Sequence, residues 1–476
     1  VCFLLWSNVL RNIRLDELLP RHGPGATADQ RSGNQKFDWQ YWQDRLEPWF
    51  PFIDSCYPIT SGELGNRRQV ERVSILSEDQ EIPVKVTPVP KTLKGPRIIA
   101  IEPCCMQYAQ QGIRNALYDR IESYWLTSGH INFRDQRVNQ QLALNASYSR
   151  EFSTIDLKDA SDRVPLDLAI RMFDSHPDLK DAILACRSTH AKMPDGQIIG
   201  PLRKFASMGS ALCFPIEAMY FYTICVIASL ESRNLPVTFR NIKYVAKRIF
   251  VYGDDLIVPT DIVDTVLNCL TRYNCEPNTS KTFYRGFFRE SCGVDAFLGY
   301  QVQPEYLGTV LPENRRQSKE IISTVHCANR FFKRGYINTA SLLFSRVEKT
   351  GVLLPTVPEN SPVIGRNHFF HPSSSFKKRW NKKYQRLELR CLVPSPVYRT
   401  DILEGYGALQ KSLMRLNGLN SPEPYKTRSI RVGDIAIDYI DSIVALDVKH
   451  LERSARHGVV ATKLRWVPVE LTEYHK

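Results

Sequence analysis

The chain has twelve cysteines and ten histidines, yet no Cys-x-x-Cys pair, no His-Glu-x-x-His and no Cys/His cluster at zinc spacing. These absences argue against a thiol redox motif, a zincin-type protease and a structural zinc ribbon. Adjacent Cys104 and Cys105 cannot conveniently bridge each other, so the thiols read as reduced and mostly buried, as in a cytosol-like compartment. The sequons at Asn145 and Asn278 are then chance matches, because glycosylation needs a secretory route. No internal repeat or long low-complexity tract occurs, which removes solenoids and disordered tails from consideration. An initiator Met is also missing, so the chain reads as a fragment at its N-terminus; the apolar stretch there, Val1–Leu10, is too short to span a bilayer.

What is present is an ordinary globular composition, 43% hydrophobic and 24% charged, over 476 residues. That is enough chain for two or three domains or one large multi-lobed unit. The formal charge of +13 is less ordinary and implies a polyanionic partner, nucleic acid first, with a solvated basic surface as the alternative. Ala211 to Leu230 is apolar and long enough to cross a membrane. Pro215, Glu217, Tyr220 and Tyr222 interrupt it, so a buried helix is expected and no membrane partner.

Pattern and punctuation place the elements. Short elements and Pro/Gly-rich loops fill the first hundred residues. A basic segment, Lys91-Thr-Leu-Lys-Gly-Pro-Arg97, runs into a strand at Ile98–Ile101. Ile113, Leu117, Ile121 and Trp125 sit at helical spacing within a helix over 105–125. A polar stretch follows, then a strand over Phe152–Leu157 and a helix over Leu166–Phe173 opened by Pro165. Further helices are expected over Met208–Leu230, 261–273 and 336–349, with a hairpin over Ile249–Pro259. Turn-rich chain is expected from 274 to Gly299, and a linker or long loop over the Pro-rich 351–363.

The hairpin carries Gly253-Asp-Asp255 between apolar flanks. A tight Gly-Asp turn lets both carboxylates project from its tip. Two adjacent anions beside an apolar sheet repel each other and lose hydration, a problem that Mg²⁺ or Mn²⁺ would relieve. An ordinary solvated turn with one capping acid is the simpler explanation of this segment alone. Asp156, directly after a strand, and Asp162, six residues on, form a second acidic segment about a hundred residues upstream. It is no EF-hand, since Lys158 takes the third position and the sixth is not Gly. A strand-end Asp156 beside the hairpin acids would supply the shared ligand of a two-metal site for phosphoryl displacement. Between them, Ala206-Ser-Met-Gly-Ser210 puts small residues at a helix entry, where backbone can approach a phosphate or ribose. Six Lys or Arg lie between 377 and 386 with aromatics interleaved. That pattern suits either a single-stranded backbone with stacked bases or a solvated helix face.

In order, Asp156…Asp162, Ser207-Met-Gly209, Tyr252-Gly-Asp-Asp255 and Phe288-Arg-Glu-Ser-Cys-Gly293 resemble the catalytic subunit of levivirus-type RNA phage replicases. Arg97-Ile-Ile-Ala-Ile-Glu-Pro103 and Asp135-Gln-Arg-Val-Asn-Gln-Gln141 extend the resemblance over roughly 85–300. It implies an α+β RNA-dependent RNA polymerase with right-hand architecture: N-terminal region and fingers over 1–150, palm with antiparallel sheet over 151–300, and thumb and C-terminal region over 301–476. A fingers insertion would lie near 175–205. Asp156 and Asp254 would be the principal ligands of two Mg²⁺ ions (Mn²⁺ as a substitute), with Asp255 supporting. Asp162 would meet the ribose 2′-hydroxyl; Ser207 and Gly209 would sit beside ribose and template. Lys91, Lys94 and Arg97 would neutralise the triphosphate, and Lys281 would protonate pyrophosphate or be simply an exposed lysine. Outside the span of the resemblance, the basic pattern with interleaved aromatics makes Lys377, Lys378, Arg379, Trp380, Lys382 and Lys383 the expected RNA-binding residues. A single-stranded RNA template and nucleoside triphosphates follow as ligands. Host elongation factors Tu and Ts and a small-subunit ribosomal protein follow as partners, and the cytoplasm of an infected bacterium as location. Two departures touch ribose selection: Glu217 stands where many viral polymerases have Asn, and Cys213 where the phage family tends to have Thr. A reverse transcriptase and a non-enzymatic RNA-binding protein are the alternatives. A chain anchored in a membrane by 211–230 is a third.

Overall fold

The computed structural model describes residues 1–57, 70–92, 95–367, 376–397, 401, 404–416, 427–432, 435–440 and 460–468. The fold is mixed helix and sheet and divides into two compact units. Unit 1 comprises Val1–Gln303 and Asp401–Glu452; unit 2 comprises Pro304–Thr400 and Arg453–Lys476.

In unit 1, β1 (Val84–Thr92) and β2 (Gly95–Ile101) form an antiparallel hairpin, with two short strands added beside β1. Helix α1 (Cys104–Ser123) follows Pro103 and buries Cys105, Ala109, Ile113, Leu117 and Ile121 along one stripe. The helix stops at Ser123, so Trp125 falls outside that stripe and is 51% exposed. The polar stretch beyond contains a helix that periodicity does not reveal, α2 (Arg137–Ser149). Its buried face is built of Asn139, Ala143, Ala146 and Ser147, which carry little hydrophobic contrast.

The centre is a three-stranded antiparallel sheet, β3 (Phe152–Ile155) beside β5 (Asp255–Pro259) beside β4 (Phe250–Tyr252). Against it packs α3 (Cys213–Ser232), the only helix among the described residues long and apolar enough to cross a membrane. Of its apolar window, 89% is buried within the protein. Its interior is wired by side-chain hydrogen bonds: Trp6 Nε1 donates to Thr223 Oγ1 at 2.9 Å, Tyr220 OH to the Tyr273 carbonyl at 2.7 Å and Tyr222 OH to that of Ala246 at 3.1 Å. These anchors, with Ser229 Oγ donating to the Cys225 carbonyl at 2.8 Å, explain how a helix so apolar buries four hydroxyls without an orphan. It begins at Cys213 rather than Met208, because Gly209 has φ +127°, which no helix accommodates. Helix α4 (Val263–Arg272) lies along α3, and all twelve cysteines are unpaired, ten of them buried.

Downstream, where turns alone are expected, β6 (Phe288–Ser291) and β7 (Val294–Phe297) make a hairpin against α2. This hairpin closes the edge of β3. Thr154 exchanges backbone bonds with Phe283 at 3.0 and 2.8 Å, and the Phe152 carbonyl accepts from Arg289 Nε at 2.7 Å. Arg289 is fully buried and also donates to the carbonyls of Gly286 and Phe288. The Phe283 N–H and the Arg289 guanidinium thus supply the donors that a fourth strand would provide to the Thr154 and Phe152 carbonyls.

Unit 2 pairs α5 (Ser318–Lys333) with α6 (Ile337–Glu348) through a turn at Gly335, burying Ile321, Val325 and Ala328 with Leu343, Phe344 and Val347. A second layer is the antiparallel sheet β8 (Lys378–Asn381), β9 (Arg386–Pro396) and β10 (Val460–Pro468). The basic 377–386 segment is therefore a hairpin and not a helix face. Lys382 to Gln385 form its turn, and Leu387, Leu389 and Cys391 alternating with polar residues give the following strand its period of two. The Pro-rich 351–363 segment is mostly irregular, with Thr356–Val357 pairing Arg366–Asn367.

Charge divides sharply between the units. Unit 2 holds 22 Lys and Arg against 8 Asp and Glu, a net of +14, while unit 1 holds 41 against 42. The chain's basicity is a property of unit 2 alone.

Replacing Arg289 by Leu removes three hydrogen bonds to part-buried carbonyls and the buried guanidinium that makes them. Destabilisation of about 2–4 kcal/mol is expected in denaturant unfolding, against less than about 1 kcal/mol for the exposed Arg137→Leu.

Candidate active site

Strand register builds the acidic centre. β5 pairs with β3 as Leu256↔Ile155 and Ile257↔Thr154, and with β4 as Asp255↔Tyr252. The Thr260 N–H bonds the Glu151 carbonyl at 2.9 Å, so by alternation Leu256 and Ile155 are also a hydrogen-bonded pair. Just past the last paired residues, Asp156 follows Ile155 and Asp255 precedes Leu256, and the two carboxylates lie near enough for the Asp156 charge to act on Asp255.

Turn geometry adds the third acid. Gly253 has φ +60°, and a Cβ there would lie 2.2 Å from the Phe214 ring, so only glycine fits. Asp254 is the second turn residue, presented at the tip as a glycine-first two-residue hairpin loop dictates.

The consequence is electrostatic. Burial, the Asp254 charge and, less strongly, the Asp156 charge push the Asp255 carboxyl up to about 6, despite a hydrogen bond from the Cys292 backbone. Glu217, nearly buried on the first turns of α3, is pushed up to about 8 by burial, then by Asp254 and Asp162, with the Cys213 thiol at 3.7 Å opposing. Five carboxylates thus sense one another. Among the described residues, no three His, Cys, Asp or Glu side chains converge closely enough to hold an ion. The donor chemistry fits a hard divalent cation, since all five are carboxylates whose crowding a cation would relieve.

Neutral groups hold this cluster in place. Asn278 donates through Nδ2 to Asp156 Oδ2 at 2.7 Å and through its backbone to the Asp156 carbonyl at 2.8 Å. Asn139 Nδ2 reaches the Asp255 carbonyl at 3.3 Å, and Gln140 Nε2 the Cys292 carbonyl at 3.0 Å. The Phe288–Gly293 segment gains a physical meaning from this. Arg289 fixes the hairpin to β3, Glu290 accepts from Lys281 at 3.1 Å, and Ser291 and Cys292 flank Asp255. Burial pulls the Lys281 pKa down, but Glu290, with Asp156 and Asp255 behind it, outweighs that and raises it. Lys281 is therefore a protonated lysine facing the acids. Asp162 is exposed and takes a hydrogen bond from Lys204 at 2.6 Å.

Ser207 and Gly209 form the turn leading into α3. A Cβ at Gly209 would sit 2.0 Å from the Ala100 carbonyl oxygen, and the Ala100 N–H bonds the Met208 carbonyl at 2.8 Å. The end of β2 is thereby fastened to the turn. Gln110, fully buried, accepts from Ser210 Oγ and the Ala211 N–H at 3.1 and 3.0 Å while donating to the Cys186 carbonyl. Arg187 ties the preceding segment through the carbonyls of Leu202, Lys204 and Phe205. Arg97 lies exposed on β2, three residues before Ala100. Lys94 and the side chain of Lys91 lie outside the described residues. Lys377 to Lys383 belong to unit 2 and not to the unit holding the acids. Sequence reasoning missed Asn139, Gln140, Asn278, Gln110, Lys204 and Glu290 as supports. Asn139, Gln140 and Glu290 lay inside segments that carried the resemblance, without a role of their own; Gln110, Lys204 and Asn278 had no signal beyond a place near such segments.

Glu217 sets a pH dependence of stability. Between the ordinary glutamate value of 4.5 and about 8, the folded chain holds a proton that the unfolded chain releases. Stability contributed by this site therefore falls as pH rises through that window and is lowest above it. Glu217→Gln is expected to raise the melting midpoint by several degrees near pH 9 and to leave it unchanged below about pH 4.5. Thermal melts at the two pH values check this; equal midpoints near pH 9 would contradict it.

The family described as RNA replicase, beta-chain, matches residues 73–315. Among relatives, the RNA-directed RNA polymerase subunit beta of Qbeta virus (strain MX1) is 29% identical over 60% of this chain and 44% of its own length. The RNA-directed RNA polymerase beta chain of Enterobacteria phage fr is 32% identical over 56% of this chain and 44% of its own. That of Escherichia phage MS2 is 34% identical over 46% and 36%. The chain thus matches less than half the length of each of these relatives. The family match covers just over half of the chain and contains every carboxylate of the acidic centre, from Asp156 to Asp255: this chain belongs to the RNA replicase beta-chain family.

Proposed function

We propose that the chain catalyses template-directed RNA synthesis, transferring nucleotidyl groups from nucleoside triphosphates to a growing strand in replication of a single-stranded RNA phage genome. The observation that carries this reading is the crowding of Asp255 by Asp254 and Asp156 at one end of an antiparallel sheet. Asp156 and Asp254, supported by Asp255, would hold Mg²⁺ or Mn²⁺. Two such ions, when bound, supply the positive charge that activates a hydroxyl nucleophile and stabilises the leaving pyrophosphate.

The chain's own residues take the remaining roles. Lys281, kept protonated beside Glu290, donates a proton to pyrophosphate. Asp162, oriented by Lys204, accepts a hydrogen bond from a ribose 2′-hydroxyl and so favours ribonucleotides. The Ser207–Gly209 turn, fastened to the end of β2 through Ala100, would lie beside ribose and template. Arg97, with Lys91 and Lys94, attracts the triphosphate. On this reading unit 1 supplies fingers and palm around the acidic centre and unit 2 corresponds to the thumb region. The host elongation factors, the small-subunit ribosomal protein and a place in the infected bacterial cytoplasm belong to the same proposal and rest on family membership.

Incorporation of radiolabelled ribonucleotides on an RNA template tests it. Asp254→Asn is expected to lower the rate by about 100-fold or more while the melting midpoint holds or rises, because a repulsive charge is removed. Undiminished incorporation would overturn the assignment.

A further inference from the structure

The basic sheet of unit 2 has two unlike faces. Register pairs Arg379 with Glu388, Arg390 with Trp466 and Leu389 with Val467. Alternation then places Leu389, Cys391, Val393 and Val467 on one face, all buried, and Arg379, Arg386, Arg390 and Trp466 on the other. The second face is open towards the hairpin tip, with Arg390 exposed and Leu464 61% exposed, while at its far end Leu392 packs on the α5–α6 core and Thr462 bonds Ser318 at 3.3 Å.

Its cations fall into two groups. Glu388 accepts from Arg379 at 2.9 and 2.8 Å, from Arg386 at 3.0 Å and from Asn381 at 3.0 Å. Arg379 also lies 4.6 Å over the Trp466 ring. These two arginines are held rigid by an internal carboxylate. Lys382, Lys383 and Arg390 make no ion pair among the described residues and stand in solvent. At the tip Tyr384 is 58% exposed between Lys383 and Arg386, whose cationic groups lie 5.5 and 4.9 Å from its ring centroid. Trp380, 57% exposed, flanks the tip on the reverse side.

We infer that this hairpin tip and open face are a docking platform for single-stranded RNA, with Lys382, Lys383 and Arg390 meeting phosphates and Tyr384 stacking a base. The net charge of +14 on unit 2 gives the complementarity to a polyanion. Two aromatic rings left in water among cations favour unpaired bases, whose faces are available, over a duplex, whose faces are not. The choice of RNA rests on the replicase reading; the face and its chemistry do not.

The full chain is titrated into a fluorescein-labelled single-stranded RNA of about 20 nucleotides, by anisotropy, with chelator present and nucleotides absent. K382A/K383A/R390A is expected to raise Kd about tenfold or more near 100 mM salt and to lower the slope of log affinity against log salt by about 2. Tyr384→Ala is expected to weaken binding with an unchanged slope, and Tyr384→Phe to retain it. Unchanged affinity and slope in the triple variant overturn the platform, as does equal wild-type affinity for a duplex of the same length. If the triple variant melts early, K382A/K383A, confined to the exposed turn, carries the same test. Because no synthesis is read, a failure of the polymerase reading shows as absent incorporation with RNA binding intact, and a failure of the platform as the reverse.

Discussion

The register of two short antiparallel strands sets Asp255 against Asp156, and most of unit 1 can be understood as enforcing or tolerating that placement. With Leu256 and Ile155 fixed as partners, Asp255 and Asp156 emerge at the same end of the sheet, where their charges act on each other. A slip by one residue would break the packing of Leu256, Ile257 and Val258, which are fully buried on both faces of the strand. Hydrophobic burial therefore pins the carboxylates together against their own repulsion. Gly253 adds Asp254 to the same end because the Phe214 ring leaves no space for any other residue in that turn.

The supports around the cluster have a common character. The hydrogen bonds to Asp156 and Asp255 come from Asn278, Ser291 and the Cys292 backbone, which are neutral. The nearest lysine, Lys281, is bonded to Glu290, and Lys204 is bonded to Asp162 at the exposed rim. Such a shell orients the carboxylates without cancelling their charge. A salt bridge in the same place would have relaxed Asp255 and removed the incentive to bind an external cation.

How much of this was legible in the sequence depends on which residues carried contrast. The hairpin at 250–259, helix α3 and the acidic positions stood out because apolar runs were broken by carboxylates. Helix α2 did not, since its buried face is Asn139, Ala143, Ala146 and Ser147 and has no hydrophobic stripe. Arg289 was equally hidden. A fully buried arginine bonded to backbone carbonyls looks in sequence like a surface charge, and only the unfilled edge of β3 explains it. Gln110 and Gly209 belong to the same class. Their roles are set by partners about a hundred residues distant, which no local pattern encodes.

Charge offers the deeper separation. A net of +13 over the chain suggests a basic protein, but unit 1 is nearly neutral and unit 2 carries the entire excess. The two units therefore meet charge in opposite ways. Unit 1 concentrates anions and orients them with neutral donors. Unit 2 consumes one carboxylate, Glu388, to stiffen two arginines and leaves its other cations on the hairpin in water, so what it lacks is a polyanion. Rigid arginines beneath and mobile lysines above make a surface whose shape is fixed while its charge remains available. That division, a stiff base with an adaptable cationic rim, suits a flexible strand better than a protein partner of fixed shape, because successive phosphates can be met without a defined register.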